Sequence, residues 1–472
     1  MKRIFFQYLA MSASLALMFS ATAYLRGSAD TSYTLQLATF LILLSWSSPF
    51  EASIGNLIFK SFDSVPAAER AVISRRDFMI FYRIMLVGFG FAIAFAFYPN
   101  GSLTPGSGIP TLIGLLFVVR LIEYCCRINL ILLGYGLWGQ IILNSFTALK
   151  WLVSIIVFMM GFKEFTYLLI GHIVLGIASS IFLIRKRLQQ VISTTIEQVT
   201  AIPAMRVRDD LFSVISVGLG VFSFQLDKLA IGASFVSADF AQYVLLCTLV
   251  FIGPYLLSPV FSLFQQHLAS IHVEDEIMND FHSSVIRSSA LIVTVFSMPL
   301  LIFINFVWPV KATNFAHSQA GIIALASYLN CLAHIYYLRY QVSGRVGMIF
   351  GQNLTSAITA LMTLAVLTVL QSHLYSVILL VAALGQYTFG VVMEAMKSNY
   401  RRIWLHFTGL IVLVPYLLLK FWNTPLNMLI AVFLFLSIGM SLIAGIFLEA
   451  RVSGVDIKSY FRLFHKFVQY GH

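Results

Sequence analysis

Six ionisable residues stand where a chain this apolar can least accommodate them: Arg120, Glu123, Arg127, Lys150, Asp227 and Lys228 all fall inside long apolar runs. Charge within a bilayer is costly, so such residues mark binding sites or pathways by default. On a helix, Arg120, Glu123 and Arg127 fall within about 60° of one another. Glu123 can pair with either arginine as an internal rung, yet one carboxylate does not neutralise two guanidiniums, so positive charge remains. Lys150 lies about 18 Å from the inner end of its run. Its stem is too short to carry the ammonium fully to the surface. It either pairs with Glu123 or faces a wet cavity, and the cavity is the expectation. Asp227 and Lys228 are neighbours pointing about 100° apart, which is expected to keep them from simply pairing with each other. Arg26 closes the first apolar run and, alone, reads as an interface residue. Glu51 and Arg83, nearer the inner ends of their runs, read as pairing or gating residues. The sum of Arg120, Arg127, Lys150 and Lys228 against Glu123 and Asp227 is a cationic interior. That suits an anionic substrate, and arginine's planar fork suits phosphate in particular.

Helices must hold these groups in place, and the composition says which kind. Of 472 residues, 59% are hydrophobic and 10% charged, against roughly 25% charged in soluble domains. This excludes a soluble globular protein, a disordered chain and, despite the net charge of +11, a nucleic-acid binder. A span needs roughly 20 apolar residues. Fourteen windows meet this: 5–25, 34–58, 79–98, 110–133, 138–160, 164–184, 211–233, 239–268, 284–308, 319–341, 347–370, 374–396, 403–421 and 426–449. The runs are unbroken, whereas a membrane barrel would alternate. The expected fold is therefore an all-α polytopic membrane protein of about fourteen transmembrane helices.

Lys and Arg cluster on alternate connections, including Arg75-Arg76, Arg185-Lys186-Arg187, Arg401-Arg402 and the tail after 450. By the positive-inside rule both termini are cytoplasmic, and the basic balance marks the anionic inner leaflet. An internal repeat divides the chain. Ser28-Ala29-Asp30 returns as Ser237-Ala238-Asp239, 209 residues on, while Tyr33, Leu35 and Ser48-Pro49 return as Tyr243, Leu245 and Ser258-Pro259, 210 on. The expected organisation is a six-helix lobe over 1–184, a cytoplasmic linker over 185–210, a second six-helix lobe over 211–396, two further spans over 397–449 and an amphipathic tail over 450–472. Both lobes enter the membrane in the same sense, and parallel repeats often place a substrate site at the lobe interface near midplane. Pro49, Pro254, Pro259 and Pro299 lie within spans and permit bends.

Signs of catalysis are poor. No Walker loop or HExxH motif occurs, and the connections on the outer side are short. His172 and His334 stand singly in spans and read as core histidines. Cys125, Cys126, Cys247 and Cys331 fit neither a disulfide framework nor a zinc site and read as packing. Neither an enzyme nor a cofactor is expected. A proton or sodium gradient is the expected driving force.

Phe224-Gln225-Leu226-Asp227-Lys228, followed by Gly232, Ser237, Phe240, Tyr243, Pro254 and Pro259, resembles the seventh and eighth helices of polysaccharide-biosynthesis flippases, which move O-antigen or capsule repeat units. Arg26-Gly27 through Tyr33 is the first-repeat counterpart. Arg127 to Lys150, with Leu133-Gly134-Tyr135-Gly136 and Gln140, is similar to that family's fourth and fifth helices. Ser32 and Gln242 stand where the family usually has glycine. The superfamily also includes multidrug and toxic compound extrusion transporters and lipid II flippases. The resemblance implies an undecaprenyl-diphosphate-linked oligosaccharide moved from the inner to the outer leaflet of a bacterial cytoplasmic membrane. Arg26, Arg120, Arg127, Lys150 and Lys228 would contact the head group, while Glu123, Asp227, Glu51 and Arg83 would pair charges or couple transport to the gradient. The implied partners are the lipid-linked glycan, the bilayer and other polysaccharide-assembly membrane proteins, with no nucleic acid. A cation-coupled drug exporter on the same fold is the alternative reading, ahead of a sugar polymerase or glycosyltransferase.

Overall fold

A computed structural model describes residues 2–28, 33, 36–38, 40–41, 109–132, 135–192, 207–234, 237–250, 314–342 and 345–395. These residues are all-helical apart from short turns, with no strand among them. In order they form α1 (Lys2–Ser28), α2 (Ile109–Leu132), α3 (Gly136–Met159), α4 (Phe165–Ile192), α5 (Val207–Ser234), α6 (Ser237–Val250), α7 (Asn314–Val342), α8 (Val346–Val369) and α9 (Ser376–Ala395). Most ends agree with the sequence-derived spans to within a few residues. The main difference is α4, which stays helical through Arg185-Lys186-Arg187 to Ile192. Arginine and lysine are good helix formers, so the basic run ends the apolar span without ending the helix. Glu51, Arg83, the four span prolines and the tail lie outside the described residues.

Five helices among the described residues are long and apolar enough to cross a membrane: Gly136–Met159, Phe165–Lys186, Ile215–Gly232, Val346–Val369 and Ser376–Met393. Their outer faces agree. Leu149, Leu152, Ile156 and Met159 make an exposed stripe on α3; Ile170, Val174, Ile177 and Ile181 make another on α4; Ile358, Leu361, Met362, Val366 and Val369 line α8. Helix-spaced stripes of large apolar side chains facing outward suit lipid, whereas a water-soluble monomer rarely exposes such continuous patches. The protein is a multi-pass membrane protein.

The packing repeats. α1 lies on α3 as α5 lies on α8; α2 lies on α4 as α7 lies on α9; α3 meets α4 as α8 meets α9. The turns repeat at a spacing of 210 residues. Tyr135 N donates to Leu130 O as Arg345 N donates to Tyr340 O; Phe162 N donates to Val157 O as Ser372 N donates to Leu367 O. After α3 the chain turns through Gly161 at φ 95°, and after α8 through Gln371 at φ 49°. A left-handed residue at this place caps a helix by returning backbone N–H groups to its last carbonyls. Glycine reaches that conformation without cost; the second copy reaches it with a glutamine.

Two kinds of core hold the helices together. Around α1, α3 and α4 it is aromatic: Tyr33 packs edge-on against Phe158 at 5.6 Å and Phe165 at 5.5 Å, and Trp151 against His172 at 5.2 Å. Such pairs add about 0.5–1.5 kcal/mol each beyond area burial. Between α5, α7, α8 and α9 an apolar cluster of Leu226, Ala360, Leu367, Ile378 and Ala382 is joined by uncharged polar bonds. Asn353 Nδ2 donates to Ser216 O (2.9 Å), Gln386 Nε2 to Asn353 Oδ1 (3.0 Å) and Gln352 Nε2 to Ala333 O (3.0 Å). In a membrane the hydrophobic effect gives no preference between lipid and helix, so interhelical hydrogen bonds and close packing carry the association. All four cysteines are buried and none forms a disulfide.

Candidate functional site

The charged residues of α2, α3 and α4 converge on one point. Lys150 Nζ on α3 donates to Glu123 Oε1 on α2 at 2.8 Å. The Ser179 hydroxyl on α4 donates to the same oxygen. Glu123 and Lys150 are both buried. Of the two alternatives open for Lys150, the structure shows the pair with Glu123. Lys150 and Ser179 thus tie Glu123 of α2 to α3 and α4.

Gly176 makes room for this pair. A Cβ at Gly176 would sit 2.5 Å from Val119 Cγ1 and 3.5 Å from Lys150 Nζ, inside the space the ion pair and Val119 already fill. Gly176→Ala is expected to destabilise the protein by about 1–3 kcal/mol, the usual cost of overpacking. The thermal midpoint of the detergent-solubilised protein reads this, and Val119→Ala in the same chain should recover part of the loss. Ser179 and Gly176 carry no sequence signal by type; only their position opposite Glu123 across α2 and α4 reveals them.

His172 lies on α4 one turn before Gly176. Its ring packs against Trp151 and, at 5.8 Å, Phe40, and its buried Nε2 has no hydrogen-bond partner. The expectation of a core histidine holds for its packing, although one nitrogen is left unmatched.

A second pair forms on α5. Lys228 Nζ lies 3.1 Å from Asp227 Oδ1 and donates to Phe224 O at 2.9 Å. Asp227 is fully buried, and the Tyr243 hydroxyl on α6 donates to its Oδ2 at 2.7 Å. This corrects the expectation that adjacency keeps Asp227 and Lys228 apart. The helical rotation separates their Cβ atoms, but lysine's four-carbon stem swings the ammonium back along the helix to both its neighbour's carboxylate and the carbonyl one turn earlier. Tyr243, marked by the repeat, proves to be the ligand that ties this carboxylate to α6.

Arg120 and Arg127 differ from the lysines. Both remain partly accessible. The Arg127 guanidinium lies over the Tyr124 ring, 5.3 Å from its centroid, while its buried Nε has no hydrogen-bond partner. His334 of α7 stacks on Tyr337 at 5.5 Å with the rings 7° apart. Of the sequence-derived candidates, the structure thus groups Glu123 with Lys150 beside Arg120, and sets Asp227 and Lys228 apart on α5. Arg26 lies on the last turns of α1, and its side chain is outside the described atoms. Among the described residues no cluster of His, Cys, Asp and Glu could hold a metal ion.

No family model matches the chain, and no curated protein matches it in sequence. Solved structures do match in fold. The chain is similar to a multidrug resistance MATE family transporter of the MOP superfamily in an outward-facing conformation, with TM-score 0.58, 10% identity and coverage of 84% of this chain and 95% of the other. It is similar to a MATE in complex with Br-NRF, with TM-score 0.54, 12% identity and coverage of 84% and 96%. It is also similar to the lipid II flippase MurJ in an inward closed conformation, with TM-score 0.57, 9% identity and coverage of 95% and 99%. At such identities the likeness is one of fold: this chain has the fold of MOP-superfamily transporters.

Proposed function

We propose that the protein flips an undecaprenyl-diphosphate-linked oligosaccharide repeat unit, of the O-antigen or capsule kind, from the inner to the outer leaflet of a bacterial cytoplasmic membrane. The observation that carries this reading is the pair of partly accessible arginines, Arg120 and Arg127, on one face of α2. A low-dielectric site with two guanidiniums favours a diphosphate through bidentate, charge-assisted bonds. The fold shared with a lipid II flippase supports the same reading.

Transport proceeds by alternating access, the six-helix lobes over 1–184 and 211–396 rocking about their interface, with both termini cytoplasmic. Lys150 and Lys228 reach the head group only by exchanging their carboxylate partners, so Glu123 and Asp227 are the groups through which a proton or sodium gradient would drive the cycle. Arg26 supplies a further cation toward the outer side. The chain hydrolyses no nucleotide in this scheme. It works beside other membrane proteins of polysaccharide assembly.

The drug-exporter alternative has support in the MATE-like fold. Against it, the two deep carboxylates in the described residues, Glu123 and Asp227, each face a lysine and so offer little to a cationic drug.

The deciding measurement is the leaflet sidedness of undecaprenyl-diphosphate-linked glycans in cells with and without the protein, in a strain with no redundant flippase. The expected result is cytoplasmic-leaflet build-up only in its absence. Unchanged sidedness removes the flippase reading and leaves drug efflux to be assayed.

A further inference from the structure

Where α3 begins and the apolar span of α4 closes, a lysine is held between two aromatic rings. The Lys186 ammonium lies over the Tyr135 ring, 5.8 Å from its centroid, and over the Trp138 ring at 6.0 Å. Lys186 belongs to the basic run of α4, while Tyr135 and Trp138 open α3. A lysine at the end of a membrane helix ordinarily extends its head away into water. Here two ring faces attract it to one place between the helices. That place is open to the outside: Trp138 is 40% exposed, Lys186 is partly exposed and the adjoining Arg185 is exposed.

One turn further into the span the surface becomes apolar. Phe182 of α4 is 56% exposed, and its ring meets that of the partly exposed Phe146 of α3 at 5.6 Å. Beyond these rings run the aliphatic stripes of α3 and α4. The second copy of the repeat lacks this arrangement. At a spacing of 210 residues, Met348 and Val392 stand for Trp138 and Phe182, and the exposed Arg345 stands for Tyr135. The turn into the helix is nevertheless the same in both copies, so the fold itself does not require the aromatic cradle.

We propose that this end of α3 and α4 is the seat of an anionic phospholipid. The inference goes beyond the transport reading and does not depend on it. The lipid phosphate lies against Lys186 and Arg185, and the acyl chains follow the surface of Phe146 and Phe182 onto the aliphatic stripes. Charge and apolar surface thus follow one another in the order of a phospholipid's own parts. The leaflet is the one that the basic run selects, cytoplasmic by the positive-inside rule, and basic pockets between membrane helices take anionic head groups there. Tyr135 and Trp138 hold the ammonium in place before the lipid arrives, which lowers the entropy cost of binding. A lipid so seated spans α3, which carries Lys150, and α4, which carries Ser179, and stabilises their packing by mass action.

The test titrates lipid into the full-length protein in a neutral detergent and follows the thermal midpoint. Phosphatidylglycerol is expected to raise the midpoint at concentrations where phosphatidylcholine of the same chains does not, and glycerol 3-phosphate, a head group without chains, is expected to have no effect. Lys186→Gln and Trp138→Leu should each raise the half-saturating phosphatidylglycerol concentration about fivefold. Lys186→Arg, which keeps the charge and the ring contact, should restore it. Arg345→Gln, at the corresponding end of α8, should leave it unchanged. Equal action of the two lipids, or no shift with either, overturns the seat. So does a Lys186→Gln variant that titrates like the unaltered protein, or an Arg345→Gln variant that loses as much as Lys186→Gln, since either makes the attraction one of diffuse charge. A shift with glycerol 3-phosphate equal to that with phosphatidylglycerol overturns the lipid as occupant. If Lys186→Gln does not fold, Trp138→Leu and Lys186→Arg decide by the same criterion.

Discussion

Lys150→Ala is expected to cost about 3–5 kcal/mol of stability, because it leaves the buried Glu123 carboxylate without its counter-charge. The protein should fall sharply in membrane abundance and in thermal midpoint, before any question of transport arises. Removing both partners should be far milder. In Lys150→Met with Glu123→Leu no buried charge remains, and replacing a buried pair by apolar residues of similar volume is often neutral or stabilising. Abundance should therefore return in the double variant. If Lys150→Ala remained as abundant as the unaltered protein, the pair would have to be hydrated and not dry. The double variant also separates two roles. Normal export would make the pair a structural pin between α2 and α3, and failure of export at normal abundance would make it part of the transport cycle.

Arg120→Ala and Arg127→Ala are expected to do the opposite: membrane abundance within about twofold of the unaltered protein, and export strongly reduced. Each removes one or more charge-assisted hydrogen bonds to the diphosphate, worth about 1.5–3 kcal/mol apiece, and tenfold in affinity corresponds to about 1.4 kcal/mol. Each single variant should lower transport by about 10–100-fold, measured as glycan accumulating in the inner leaflet. Arg127→Lys keeps the charge but loses the planar fork and its stacking on Tyr124, so it should restore transport only in part. Full export from the double alanine variant would place the head group elsewhere in the protein.

Much of this was readable from the amino-acid string. Membrane helices announce themselves because a bilayer demands long uninterrupted apolar runs whatever they pack against. The ends of α2, α3, α7, α8 and α9 accordingly fall close to where hydropathy placed them. The 210-residue period was visible at Tyr33 and Tyr243, and both tyrosines are buried. The common face of Arg120 and Arg127 followed from the fixed 100° turn of the helix. All these are properties of a single segment or of two segments compared.

What the string could not decide was which charged group meets which. Lys150 lies 27 residues from Glu123 and Ser179 lies 56 from it; their meeting depends on how α2, α3 and α4 rotate about their own axes when packed. Gly176 matters only because Val119 and Lys150 arrive opposite it. Lys228 defeated the adjacency argument because a flexible stem is not bound by the direction of its Cβ. His334 read as an isolated core histidine until packing placed Tyr337 against its ring. Local periodicity specifies each helix because its hydrogen bonds and its solvent are the same along its length. The azimuth of one helix against another depends on side-chain shapes from both, so the pairing of buried charges belongs to the tertiary structure alone.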